Sequence, residues 1–271
     1  MVDHDLPFGG SRKRRAGVPA RIASMIGLAA ACAFGAANAY AAAACDAPWM
    51  HRGGGFTNVF EPGQRALTYT VTQFSKRDSN DCNGEVHAVM KMSMGGRPMQ
   101  SESDIRFEII DGKVAGPAEK NSGTLQSGRG GATFNSMMAG QSTGILSYAG
   151  EISGEGQRIA GVRTEGSVAG MVANMGQSVG SVSVPKFVTK TSDKMVGKLE
   201  QLRTAVGTID CWPVAYEVST QAENAQLTGH MANLEMKSRV VDHFCPSTGL
   251  VMRQDTSVNG KSMAMTVSAL H

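Results

Sequence analysis

Leu250-Val-Met-Arg-Gln-Asp-Thr-Ser-Val258, then Asn259-Gly260, then Lys261-Ser-Met-Ala-Met-Thr-Val-Ser-Ala-Leu270: this stretch decides the fold. Apolar and polar residues alternate on both sides of an Asn-Gly pair. Both central residues of the tightest hairpin turn need φ above zero, and Asn-Gly supplies that most readily. Side chains repeat every second residue along a strand, so the turn sets Met252 against Val267 and Leu250 against Ala269 on one face. The preceding residues fit the same scheme. Val214, Tyr216 and Val218 alternate, and Ala232, Leu234, Met236, Val240 and Phe244 keep one parity through residues 229–245. That strand should run back antiparallel to 211–219 and bring Cys245 near Cys211.

Earlier in the chain Leu67, Tyr69 and Val71 alternate with threonines, Val86, Ala88, Met90, Met92 and Met94 follow, and Ile105, Phe107 and Ile109 precede Asp111-Gly112. Tyr69-Thr-Val-Thr with VHAVMKMS resembles Tyr216-Glu-Val-Ser with MANLEMKS, so the two halves share a strand–turn–strand unit, by duplication or by similar composition. Residues 113–183 are rich in Gly, Ser and Ala, and read as part mobile excursion and part short strands. Two stretches carry helical spacing: Val168, Met171, Val172, Met175 and Val179, interrupted by Gly170 and Gly176, and more cleanly Met195, Leu199, Leu202 and Val206. Ser192 with Asp193 could cap the latter and Gly207 could end it. The expected fold is therefore mainly β, a curled antiparallel sheet with one or two short helices.

The tail carries a resemblance. Val206-Gly207-Thr208-Ile209-Asp210-Cys211-Trp212, with Asp242-His243-Phe244-Cys245-Pro246 and Gly249-Leu250-Val251, looks like a pattern in bacterial envelope proteins of unknown function that are similar to the LolA/LolB half-barrels. The resemblance covers about a quarter of the chain and its motifs are structural. It implies a half-barrel or open barrel wrapping a helix, and loosely an apolar-ligand cavity.

The first forty residues form three zones. Arg12, Lys13, Arg14, Arg15 and Arg21 precede an uncharged stretch from Ile22 to Ala37, and Ala37-Asn38-Ala39 and Ala39-Tyr40-Ala41 offer small residues for cleavage. That order is the secretory-signal pattern. Residues 1–41 read as a signal peptide and 42–271 as one β-rich envelope domain with a well-defined C-terminal unit, 206–271. The chain has 26 Lys+Arg and 23 Asp+Glu; the signal holds five and two of them, which leaves 21 of each. A neutral chain has no electrostatic footprint for nucleic acid. No later stretch is apolar enough to span a membrane as a helix. Cys32 and Cys45 each follow three alanines, but neither has a leucine three residues upstream, so lipid anchoring is the lesser reading. After cleavage Cys45, Cys82, Cys211 and Cys245 remain, an even number that reads as two disulfides in an oxidising compartment. Three pairings are open; Cys45–Cys82 with Cys211–Cys245 is preferred because each closes a short loop.

Chemistry is sparse. Gly140-Gln141-Ser142-Thr143-Gly144 and Gly176-Gln177-Ser178-Val179-Gly180 fit Gly-x-Ser-x-Gly, and Asp210 or Asp242 with His230 or His243 would complete a serine hydrolase order. Neither serine sits at a strand-to-helix turn, and glycine-rich chains meet this pattern by chance. Among 17 methionines, Met90, Met92, Met94 and Met99 near His87 suggest a thioether copper site. Strand parity makes those methionines core packing and puts His87 on the other face. No catalytic, metal or cofactor residues are assigned. The leading reading is a non-catalytic periplasmic protein that binds an apolar small molecule or an envelope partner, with a copper-binding protein and then a hydrolase as alternatives.

Overall fold

Asn259 and Gly260 take φ of 49° and 76°, and the turn they make fixes a register running from Val258↔Lys261 to Arg253↔Thr266. Asp111 and Gly112 repeat the device at φ 52° and 73°. The structure, a computed structural model, describes residues 44–61, 65–94, 97–115, 120–127, 130–140, 146–174, 177–227 and 230–271. The signal assigned to 1–41 and the serine Ser142 lie outside them.

The strands are β1 (Gly55–Glu61), β2 (Arg65–Lys76), β3 (Cys82–Met94), β4 (Arg97–Ile110), β5 (Lys113–Val114), β6 (Lys120–Ser127), β7 (Gly130–Gly140), β8 (Arg158–Ile159), β9 (Arg163–Asn174) and β10 (Gln177–Thr191). β11 (Lys194–Val196), β12 (Glu200–Thr204), β13 (Gly207–Leu227), β14 (His230–Cys245), β15 (Leu250–Val258) and β16 (Lys261–Leu270) complete them. They make one antiparallel sheet, mostly of neighbours in sequence. The sheet curls strongly. β16 pairs with β1, and β10 pairs with β13 from Val182↔Leu227 to Thr191↔Val218, so the pairing passes through all twelve long strands and returns. The expected curled antiparallel sheet is the fold.

Parity sorts the two faces as the sequence implies. Phe56, Tyr69, Val71, Val86, Ala88, Phe107, Ile109, Met252 and Val267 turn to the concave face and are buried together. Two loops close over one end of that face. Residues 44–54 supply Trp49, whose indole Nε1 donates to Thr248 O at 3.1 Å. The segment from Leu146 puts Leu146 and Ala149 into the same core, while Tyr148 packs with Val196, Trp212, Val214 and Phe244. Apolar burial on this scale is the main stabilising term, at about 25 cal/mol per Å² removed from water.

The helices do not form. The described residues hold no α-helix, only 3-10 conformation at Ala44–Asp46 and at Leu146, so no helix is wrapped by the sheet. Met195, Leu202 and Val206 fall on β11, β12 and the turn after it, and Leu199 on the link between β11 and β12. Met195, Leu199 and Val206 are exposed, which a core-facing helical stripe forbids. Gly197 decides the matter: its N–H donates to Pro213 O at 2.7 Å, and a Cβ there would come within 2.9 Å of Pro213 Cγ. The chain is thus held extended along β13, and Gly207, at φ 109°, turns β12 back onto it. The weaker stripe at 168–179 is the β9–β10 hairpin, paired from Gln177↔Asn174. Residues 113–183 hold strands β5 to β9 and part of β10. No helix of the described residues is long and apolar enough to cross a membrane.

Candidate functional site

Following the concave face away from the closed end, its side chains emerge from the core while staying apolar. On β14, Phe244, Asp242 and Val240 are 6%, 3% and 5% exposed, but Met236 and Leu234, on the same parity, are 50% and 47% exposed. On β16, Val267 is 4% exposed and Met263 is 48% exposed. Between them lie half-buried Val218 and Thr220 on β13, Thr256 and Val258 on β15, and Met265 on β16. Continuing round, Phe60, Leu67 and Met90 present the same face, also half-buried. The register aligns these residues: Met236 pairs with Thr220, Met263 with Thr256 and Met265 with Phe60. Apolar side chains directed inward yet wetted are what a lipid-like ligand needs. Met is adaptable in such a lining.

A polar cluster sits at the boundary between core and wetted wall. Asp242 Oδ2 accepts from Tyr148 Oη at 2.5 Å and Tyr216 Oη at 2.9 Å. Its Oδ1 accepts from Gln254 Nε2 at 2.7 Å. Lys194 Nζ lies over both rings, 4.6 Å from the Tyr148 centroid and 5.1 Å from that of Tyr216. Burial, then the charge of Asp242, raises the hydroxyl pKa values of both tyrosines far above the usual range. They therefore stay protonated as donors. Burial lowers the Lys194 ammonium pKa, with Asp242 and Glu151 opposing it. Tyr148 is held at φ 69°, a strained angle for a bulky residue, so the surrounding contacts over-determine its pose. Asn58 faces the same side, and its Oδ1 is buried without a hydrogen-bond partner.

The residues singled out by sequence fall as follows. Cys45 is joined to Cys82 and Cys211 to Cys245. Two disulfides fit an extracytoplasmic location. Ser178 lies within β10, opposite Ala173, rather than at a strand-to-helix elbow. Asp242 and His243 project to opposite faces. His243 contacts Glu200 at 2.8 Å through Nδ1 and Asp255 at 3.1 Å through Nε2. Asp210 is exposed. No Ser-His-Asp constellation assembles among the described residues. His87 pairs with Asp104 at 2.7 Å on the convex face, while Met90 takes the concave one, so the histidine and that methionine cannot share an ion. Met92 and Met99 are register partners, and their side chains lie outside the described set. Among the described residues no group of three His, Cys, Asp or Glu could hold a metal.

Sequence reasoning missed Tyr148 and Lys194. One signal pointed to the cluster: Asp242 is a carboxylate on core parity between Val240 and Phe244.

No protein-family model matches the chain, and no curated protein gives a significant match. Two solved structures are similar. One is a Bacteroides fragilis protein described as exported, with a YmcC-like fold, at 11% identity and TM-score 0.49; 82% of this chain and 96% of that chain are covered. The other is a Parabacteroides distasonis protein described as a lipoprotein, at 13% identity and TM-score 0.48, again with 82% and 96% covered. Neither shows the relation to LolA and LolB that the tail suggests. What the molecule can do therefore follows from its own geometry.

Proposed function

We propose that the protein is a non-catalytic carrier of the bacterial periplasm, exported by residues 1–41, that holds an apolar small molecule against its concave face. One observation carries this reading. Leu234, Met236 and Met263 turn inward from a continuous core face yet are about half exposed. Toward the closed end of that face such positions are packed shut, and apolar side chains kept wet are unfavourable unless something covers them. The disulfides suit an exported protein.

Titration with the neutral fluorophore N-phenyl-1-naphthylamine tests it. Saturable, blue-shifted enhancement is expected, and Leu234→Glu with Met236→Glu should weaken it at least tenfold. Both sites are exposed, so the double variant should keep the parent melting temperature. Absence of enhancement, or equal enhancement in the variant, overturns the reading. Native mass spectrometry of periplasmic material should then show co-purifying lipid.

A further inference from the structure

We infer that the molecule carried is an uncharged hydroxyl-bearing amphiphile, which donates its O–H to Asn58 Oδ1 while its apolar body lies along Phe60, Leu67 and Met265. This rests on the carrier reading and gives it a chemical class. The boundary between closed core and wetted wall crosses three neighbouring strands here. On β1 it falls between buried Asn58 and half-buried Phe60, on β2 between Tyr69 and Leu67, and on β16 between Val267 and Met265. The register sets Leu67 and Val267 directly opposite Asn58. Asn58 is therefore the last core position on its strand, and the wall begins at the next inward residue.

What this position needs follows from what the other buried polar groups already have. Asp242 accepts from three donors, two tyrosine hydroxyls and an amide. Thr248 Oγ1 donates to Cys245 O and accepts from Leu250 N–H. Asn58 is only 5% exposed, yet among the described residues its Oδ1 is the one buried side-chain oxygen or nitrogen that meets no partner. A carbonyl oxygen only accepts, so the missing group is a donor. Phe56 and Phe60 along the strand, and Leu67 and Val267 across it, have none to give. Ser268 on β16 is exposed and donates to Thr57 O instead. The same surroundings disfavour a charge. A carboxylate has only acceptors and would set oxygen against oxygen, and any ion brought among Phe56, Tyr69 and Val267 would lose its water without a counter-ion. A neutral hydroxyl does neither. Met265 is unbranched and half-buried, so it can swing aside to admit one.

The experiment displaces N-phenyl-1-naphthylamine with dodecan-1-ol, 1-dodecanoylglycerol, 1-methoxydodecane and dodecanoate, each kept below its aggregation concentration. At least one hydroxyl ligand should compete at about tenfold lower concentration than the ether, which keeps the chain and the oxygen but has no donor. The better of the two tells a simple alcohol from a glyceride, and dodecanoate should compete no better than the ether. Asn58→Leu should bring the ratio of hydroxyl ligand to ether close to one, a ratio that does not depend on the probe's own affinity for the variant. Should Asn58→Leu fold poorly, Asn58→Ala serves in its place. The inference is overturned if the ether or dodecanoate competes as well as both hydroxyl ligands, or if the preference survives loss of the amide. In those cases the naphthylamine still binds and the carrier reading stands; failure of the naphthylamine to bind at all removes that reading and this inference with it.

Discussion

Asn58 is an anomaly that a single substitution can resolve. It lies on β1 between Phe56 and Phe60, opposite Leu67 and Val267, and its buried Oδ1 accepts no hydrogen bond. An unmet buried acceptor costs about 1–3 kcal/mol. Leucine has nearly the same shape without the acceptor, so Asn58→Leu should raise the free energy of unfolding by about 1–2 kcal/mol. Urea titration of both proteins measures it. On the carrier reading proposed above, an unmet acceptor on the face of the wetted wall serves the ligand, so the same variant should bind N-phenyl-1-naphthylamine no better than the parent. A fall in stability would mean that the amide is satisfied after all. Tyr69 shows the contrasting case. Its ring stacks on Phe56 with centroids 4.6 Å apart, and burial pushes its hydroxyl up to about 12.

The β15–β16 hairpin is where local chemistry alone dictates structure. Gly260, at φ 76°, faces open space: a Cβ there would meet no atom within 4 Å, so any cost of substitution is conformational rather than steric crowding. Gly260→Val should therefore lower stability by about 1–2 kcal/mol, read by urea titration, while Asn259→Gly should be near neutral. This hairpin and β2 to β4 were legible because one face is buried and the other polar, which prints a period of two on the sequence. The stretch at 195–206 was not. Its four apolar residues fit helical spacing, but the pull toward extended structure comes from Pro213, a distant partner that no local pattern reveals. β10 is similar: Pro185 argues against a strand, yet it sits in the irregularity between Val184 and Phe187, where a missing N–H is tolerated. The wetted wall was half legible. Parity placed Leu234, Met236 and Met263 on the core face, but whether that face is filled depends on how the sheet curls. Tyr148, Lys194, Tyr216, Asp242 and Gln254 come from five segments: strand pairing sets the last four side by side, and the segment from Leu146 brings Tyr148 onto them.

The two disulfides act on the fold in different ways. Cys211–Cys245 joins the ends of β13 and β14, which are already paired at Trp212↔Phe244. Cys45–Cys82 instead fastens a segment outside the sheet to the start of β3. By chain entropy alone, loops with separations of 37 and 34 residues are equivalent, each worth at most about 4 kcal/mol. Their structural consequences are not. Apart from its disulfide, the segment 44–54 is held by buried Trp49, by the Asp46–Lys76 ion pair, by Cys45 N–H donating to Ser79 O at 3.1 Å, and by two backbone bonds to Val71. Cys45→Ala with Cys82→Ala should therefore loosen the floor as well as lower stability. Trp49 emission should shift to the red, and amide exchange should rise across 44–54 in the native state. The Cys211→Ala, Cys245→Ala pair should lower the unfolding free energy by a similar amount while leaving exchange at 44–54 unchanged. Because the Leu146–Ala149 turn packs on the same core, a loosened floor should also admit water to Asp242 without abolishing apolar binding. If both variants leave Trp49 emission and exchange alike, packing rather than the cross-link holds the floor, and the first disulfide adds stability alone.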